Sequence, residues 1–93
     1  MADIKKAPTA EKYLNLSLHY YNAMQYEQCI EAAKQALLLK PGYDLAYNNI
    51  CAAYNRLQQW DKAIEAGEQG MKLNPNNQLI KGNLAEAYKA KKK

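Results

Sequence analysis

Residues 13–20 read YLNLSLHY, and residues 47–54 read YNNICAAY. Both stretches begin and end in Tyr and carry Asn in third place, and they lie 34 positions apart. Outward from them the offset holds for Gln25 and Gln59, for Ile30-Glu31-Ala32 and Ile64-Glu65-Ala66, and for Pro41 and Pro75. Laying residues 10–43 over 44–77 gives ten identities, with Leu16/Ile50, Tyr26/Trp60 and Cys29/Ala63 as conservative matches. A partial third copy opens at Gln78 and keeps register through Asn83, Leu84, Ala85 and Tyr88. A period of this length marks a stack of small units rather than one closed core.

Each unit reads as two helices. The composition favours them: Ala, Leu, Lys, Gln, Glu and Asn abound, and Phe is absent. The expected spans are 10–23, 27–39, 44–57, 61–73 and 78–90. Lys40-Pro41-Gly42 and Asn74-Pro75 stop the second and fourth, because proline bars the residue before it from helical geometry. Asn76 and Asn77 are suitable caps for the last helix. Asp61 places negative charge in a first turn, where the helix dipole favours it. Ser17 and Cys29, like Cys51 and Ala63, are small where two antiparallel helices must come close. Tyr26 and Trp60 open the second helix of each unit and can pack across the hairpin.

The pattern resembles the tetratricopeptide repeat, whose signature is an aromatic, then Leu with a small residue, then Tyr, later Ala, and finally Pro. The first copy gives Tyr13, Leu16-Ser17, Tyr20, Cys29, Ala33, Ala36 and Pro41. The second gives Tyr47, Ile50-Cys51, Tyr54, Ala63, Gly67, Gly70 and Pro75. Ala33 and Gly67 depart from it, standing where the family usually has an aromatic, which implies a thinner core between units. The resemblance implies an all-α, right-handed stack of antiparallel helix hairpins, an α-solenoid of five helices. Its expected parts are a disordered tail over 1–9, repeats over 10–43 and 44–77, a capping helix over 78–90 and a basic tail over 91–93. The ends look finished. Lys12, His19 and Ala23 stand where the second copy has Ala46, Ala53 and Leu57, and Lys81 replaces an aromatic.

The net charge of +4 does not mark a nucleic-acid binder. Residues 1–9 sum to +1 and the three terminal lysines to +3, so residues 10–90 are neutral. A nucleic-acid surface needs a clustered basic face. The two cysteines lack ligand spacing, which argues against a metal site. Both fall on apolar helix faces, as buried thiols of a reducing, cytoplasmic setting. No apolar run is long enough to span a membrane. His19 has no carboxylate within helical reach, no Ser or Cys has a base beside it, and no phosphate loop exists. The expectation is therefore no enzyme, no cofactor and no metal.

In such a stack the first helices line the concave side, and residues recurring at the repeat period form a ladder there. Asn15, Asn49 and Asn83 do so, and an amide can both donate to and accept from a peptide backbone. This ladder is similar to the one in the repeat region of protein O-GlcNAc transferases, which grips extended acceptor peptides; asparagine at this place also serves helix packing. Around it the groove should show Leu14, Leu18 and Tyr21, then Leu45, Asn48, Ala52, Asn55 and Arg56, then Leu79, Glu86 and Lys89. Family members that hold chaperone tails use a two-carboxylate clamp of Lys, Asn, Asn, Lys and Arg. The matching places here are Leu14, Leu18, Asn49, Leu79 and Asn83, and without cations that clamp is not expected. The expected function is a protein-interaction module that takes an extended peptide or a partner helix. The alternatives are a structural or self-associating repeat unit, engineered ones included, and a substrate-recruiting domain of a larger enzyme.

Overall fold

A computed structural model describes residues 9–93, and the expected tail lies outside the described residues except for Thr9. Five helices follow one another: α1 Ala10–Asn22, α2 Tyr26–Leu39, α3 Asp44–Arg56, α4 Trp60–Leu73 and α5 Gln78–Lys91. Each end lies within one residue of its expected place. Thr9 belongs to the fold rather than to a tail. Its Oγ1 accepts the N–H of Lys12 at 3.1 Å, as an N-cap does. The basic end is likewise partly ordered, since α5 runs through Lys91, whose ammonium pairs with Asp61.

The hairpins α1/α2 and α3/α4 each close through a turn with an unusual residue. Met24 and Gln58, one repeat apart, have φ of 63° and 60°. In the first turn Gln25 N donates to Tyr20 O and Met24 N to Tyr21 O. In the second, Gln59 N donates to Tyr54 O and Gln58 N to Asn55 O. This left-handed cap satisfies carbonyls that a helix end would otherwise strand. Glycine normally takes the position, and an L-residue there costs about 1 kcal/mol.

The core is built from small side chains. Cys29, Ala33, Ala36, Ala46, Cys51, Ala53, Ala63 and Ala87 have no exposed surface. Partly buried tyrosines and Trp60 enclose them. Two glycines let α5 dock on α4. A Cβ on Gly67 would lie 2.9 Å from Leu84 Cδ1, and one on Gly70 would lie 2.7 Å from Ile80 Cδ1. Ile80, fully buried, fills the space that Gly70 vacates. At the N-terminal end no described element stacks before α1, and the consequence is visible among the described residues. Leu16 is 41 % exposed while its repeat partner Ile50 is 4 % exposed. Lys12, His19 and Ala23 are exposed, whereas Ala46 and Ala53 are sealed.

One polar bracket ties the ends of units together. Asp44, in the first turn of α3, accepts from Asn74 Nδ2 at 2.9 Å and Asn77 Nδ2 at 2.8 Å. Asn77 also caps α5 through Oδ1, which accepts from Ile80 N at 3.1 Å. The Asn77 amide, foremost, holds the Asp44 carboxyl below its ordinary pKa.

Candidate functional site

Of the first helices, α3 lies between α1 and α5 and packs against both, whereas the backbones of the second helices α2 and α4 stand apart. One side of the stack is therefore a continuous floor of three helices. Helical spacing and the repeat period place five rows of residues across it. They run Glu11/Leu45/Leu79, then Leu14/Asn48/Gly82, Asn15/Asn49/Asn83, Leu18/Ala52/Glu86, and last Tyr21 and Asn22 with Asn55, Arg56 and Lys89.

A cleft of about 190 Å³ opens in the middle of this floor, lined by Leu18, Tyr21, Asn48, Asn49, Ala52 and Asn83. Its base is a relay of hydrogen bonds. Asn83 Nδ2 donates to Asn48 Oδ1 at 2.8 Å, Asn48 Nδ2 to Asn49 Oδ1 at 3.4 Å, and Asn49 Nδ2 to Ser17 Oγ at 2.8 Å. Ser17 Oγ in turn donates to Leu14 O at 2.7 Å. The relay crosses from α5 through α3 to α1. It uses half of the amide capacity of Asn49 and leaves Asn83 Oδ1 without a donor among the described residues. Tyr21 closes one wall, its ring edge-on to Tyr26 at 5.4 Å, and burial pushes its hydroxyl pKa upward. Arg56 and Glu86 form an ion pair across α3 and α5 at the next step along the floor, where both remain well exposed.

The structure brings six of the sequence-derived candidates into the cleft and spreads the others around it. Leu18, half exposed, forms its α1 wall. Leu45 and Leu79 are exposed on the row nearest the helix starts, with Leu14 half-buried beside them. Asn15 is exposed, makes no hydrogen bond among the described residues, and does not line the cleft, so the three asparagines of the ladder are not equivalent. Lys89 is exposed farther along α5. Asn55 differs from expectation. It is 2 % exposed and donates through Nδ2 to Asn83 O at 2.9 Å, so it braces α5 from beneath rather than facing a ligand. The reason is its register: it holds the place of Tyr21, but α5 lies over it. Sequence reasoning missed Ser17 as a member of the relay. The signal was present, since a hydroxyl stands where the second copy has a thiol.

Burial raises the thiol pKa of Cys29 to about 11 and of Cys51 to about 12, so both stay protonated and unreactive at neutral pH. Among the described residues no group of His, Cys, Asp and Glu could hold a metal ion, and no helix is long and apolar enough to cross a membrane. A larger hollow, about 450 Å³, lies on the opposite side where α2 and α4 part over α3. Its Tyr54 ring is already covered by the Lys62 ammonium, 5.8 Å from the ring centre.

No protein-family model matches the sequence, and no curated protein is a significant match. Solved structures do match. The first TPR of Spaghetti (RPAP3), bound to the HSP90 peptide SRMEEVD, superposes with a TM-score of 0.86 over 91 % of this chain and 68 % of that one, at 22 % identity. The second TPR domain of the human RPAP3 protein, in complex with the HSP70 peptide SGPTIEEVD, gives 0.82 over 86 % and 67 %, at 24 % identity. The fold is that of a tetratricopeptide-repeat domain. MamA matches this tetratricopeptide-repeat domain with a TM-score of 0.83 at 28 % identity, covering 89 % of this chain but only 45 % of MamA. The tetratricopeptide architecture accounts for the two hairpins, for α5 as an unpaired first helix, and for the alignment of α1, α3 and α5 along one face.

Proposed function

We propose that this chain is a protein-interaction module that takes an extended peptide along the floor formed by α1, α3 and α5, and that it performs no reaction of its own. The observation that carries the reading is the cleft itself. Apolar Leu18, Tyr21 and Ala52 meet accessible amides there, with exposed Leu45 and Leu79 on the approach. Exposed apolar side chains beside groups that can bond a backbone are what a peptide groove requires. The two RPAP3 domains, similar in fold, support the reading because each is bound to a peptide.

Both of those peptides end in Glu-Glu-Val-Asp. The ligand proposed for this chain is different in charge. Leu14, Leu18, Asn49, Leu79 and Asn83 offer no cation to a pair of carboxylates, and Arg56 is engaged by Glu86. The floor carries Glu11, Glu86, Arg56 and Lys89, two charges of each sign, and so fits an uncharged peptide.

Fluorescence anisotropy tests this with heptapeptides selected from a displayed library on the full chain, beside SRMEEVD. Selected peptides should be mostly uncharged, and SRMEEVD should bind at least tenfold more weakly. Leu18→Arg, at an exposed site that spares the fold, should remove binding. Unchanged affinity in Leu18→Arg, or SRMEEVD as the preferred ligand, would sink the proposal.

A further inference from the structure

The hollow of about 450 Å³ on the far side of α3 is built from three helix faces. Tyr47, Ile50 and Tyr54, at i, i+3 and i+7 of α3, form its floor. Lys34 and Leu37 of α2 make one wall, and Lys62, Glu65, Ala66 and Gln69 of α4 make the other. Ile50 and Ala66 are buried, and Leu37 and the two tyrosines are half-buried, so the interior is apolar below a charged rim. The volume falls in the range of small-molecule pockets, about 300–1,000 Å³.

The repeat supplies an internal comparison. Seven of the nine lining residues have counterparts one period earlier, and those seven line a smaller groove of about 210 Å³ on α1 and α2. Tyr13, Tyr20, Glu31, Ala32 and Gln35 recur unchanged as Tyr47, Tyr54, Glu65, Ala66 and Gln69, and Leu16 becomes Ile50. What changes is the charge. Lys62 stands where the first groove has Gln28, and α2 adds Lys34 from across the gap. The first groove carries the Glu31 carboxylate alone, whereas the second sets two ammoniums against the Glu65 carboxylate and is net positive. Among the described residues neither Lys34 nor Lys62 nor Glu65 forms an ion pair. The Lys62 ammonium stands 5.8 Å from the centre of the Tyr54 ring, which keeps it over the floor. Lysine is a point charge on a flexible four-carbon stem, so one from each wall can reach a single anionic group between them.

We infer that this hollow is a second binding site, for a small amphipathic monoanion: a carboxylate held by Lys34 and Lys62, with an aliphatic or aryl body laid on Leu37, Tyr47 and Ile50. One negative charge on the ligand neutralises the lining, and its apolar body takes the place of water against the floor. The site shares no residue with the peptide floor of α1, α3 and α5, and it stands or falls separately from that reading.

The probe is octanoate, titrated into the full chain and followed by amide proton–nitrogen NMR, beside octanol and octylammonium. Octanoate should shift the amides of Leu37, Ile50, Tyr54 and Ala66, and octylammonium should leave them in place. Ion pairs at exposed lysines are weak, so Lys62→Gln, which installs the first groove's residue, should lower octanoate affinity about threefold, and Lys34→Gln with Lys62→Gln about tenfold. Octanol, lacking the charge, should bind the parent chain about tenfold more weakly than octanoate. Both lysines are exposed, so the Tm of the variants should hold. Octanol binding as tightly as octanoate, or octanoate affinity unchanged in the double variant, would overturn the inference, because the lysines would then contribute nothing. Shifts centred on Leu18, Asn49 and Ala52 would overturn it by placing the anion on the peptide floor, and so would the absence of any shift.

Discussion

The contact between Gly70 and Ile80 offers a quantitative check on how α5 docks. A Cβ at position 70 would lie 2.7 Å from Ile80 Cδ1 and 3.0 Å from Tyr47 Cβ. Carbon atoms rest about 3.5–4.0 Å apart, so Gly70→Ala forces a shift of close to an ångström on a side chain with no free surface. Overpacking of this kind costs about 1–3 kcal/mol, and the better helix propensity of Ala returns about 1 kcal/mol. The net expectation is a loss of about 1 kcal/mol. Ile80→Val by itself removes the obstructing Cδ1 and should cost about 1 kcal/mol as a small cavity. The two changes relieve each other. In the Ile80→Val background Gly70→Ala fills the cavity it would otherwise crowd, and only the milder Tyr47 contact remains. The double variant should therefore be more stable than the sum of the single losses by about 1 kcal/mol. Urea melts of the four proteins, analysed with a common slope, measure this directly. Losses that add to within about 0.5 kcal/mol would refute the packing argument, as would stabilisation by Gly70→Ala alone.

Two further predictions concern local features. Asp44→Ala should cost about 2 kcal/mol at neutral pH, through two amide hydrogen bonds to a carboxylate and a favourable first-turn charge. Because the folded carboxyl titrates below its unfolded value of about 3.9, that contribution is full above pH 4 and is lost as pH falls through the folded pKa. Melting curves of parent and variant should draw together below pH 4, and parallel curves down to pH 2 would count against the bracket. Met24→Gly and Gln58→Gly should each stabilise by about 0.5 kcal/mol, since glycine removes the left-handed strain at some cost in unfolded-chain entropy. Met24 is 72 % exposed, so little packing is lost there. A lower Tm in Met24→Gly would show that the side chain matters more than its backbone angle.

The helices were legible because their punctuation recurs. Pro41 and Pro75 fix two ends, Tyr26 and Trp60 two beginnings, and the repeat period checks each against the other. The hairpin turns were not legible as left-handed caps, because Met24 and Gln58 carry no local signal for that conformation. Tyr26, two residues after Met24, packs edge-on to Tyr21 across the first hairpin. The groove was legible as a face but not as a site. Period alone makes Asn15, Asn49 and Asn83 equivalent. Hydrogen bonding separates them, because each depends on the neighbour supplied by the adjoining unit. Asn49 meets Ser17, Asn83 meets Asn48, and among the described residues no helix precedes α1 to complete Asn15. Asn55 followed the same logic in reverse, since the arrival of α5 turned a surface position into a covered one.

The relay through Asn83, Asn48, Asn49 and Ser17 has a mechanical meaning. Alanine is plentiful in the core, and where α5 meets α4 the surfaces interlock, Ile80 and Leu84 seating over Gly70 and Gly67. Such contacts resist separation, because apolar area would return to water. Hydrogen bonds are the opposite: directional, short in reach, and broken by a displacement of an ångström. Two of them cross between helices, from α5 to α3 and from α3 to α1, and a third joins Asn48 to Asn49 within α3. In this stack the apolar contacts supply cohesion and the amides add direction. A line of polar side chains along the floor thus ties each first helix to the next at a fixed offset.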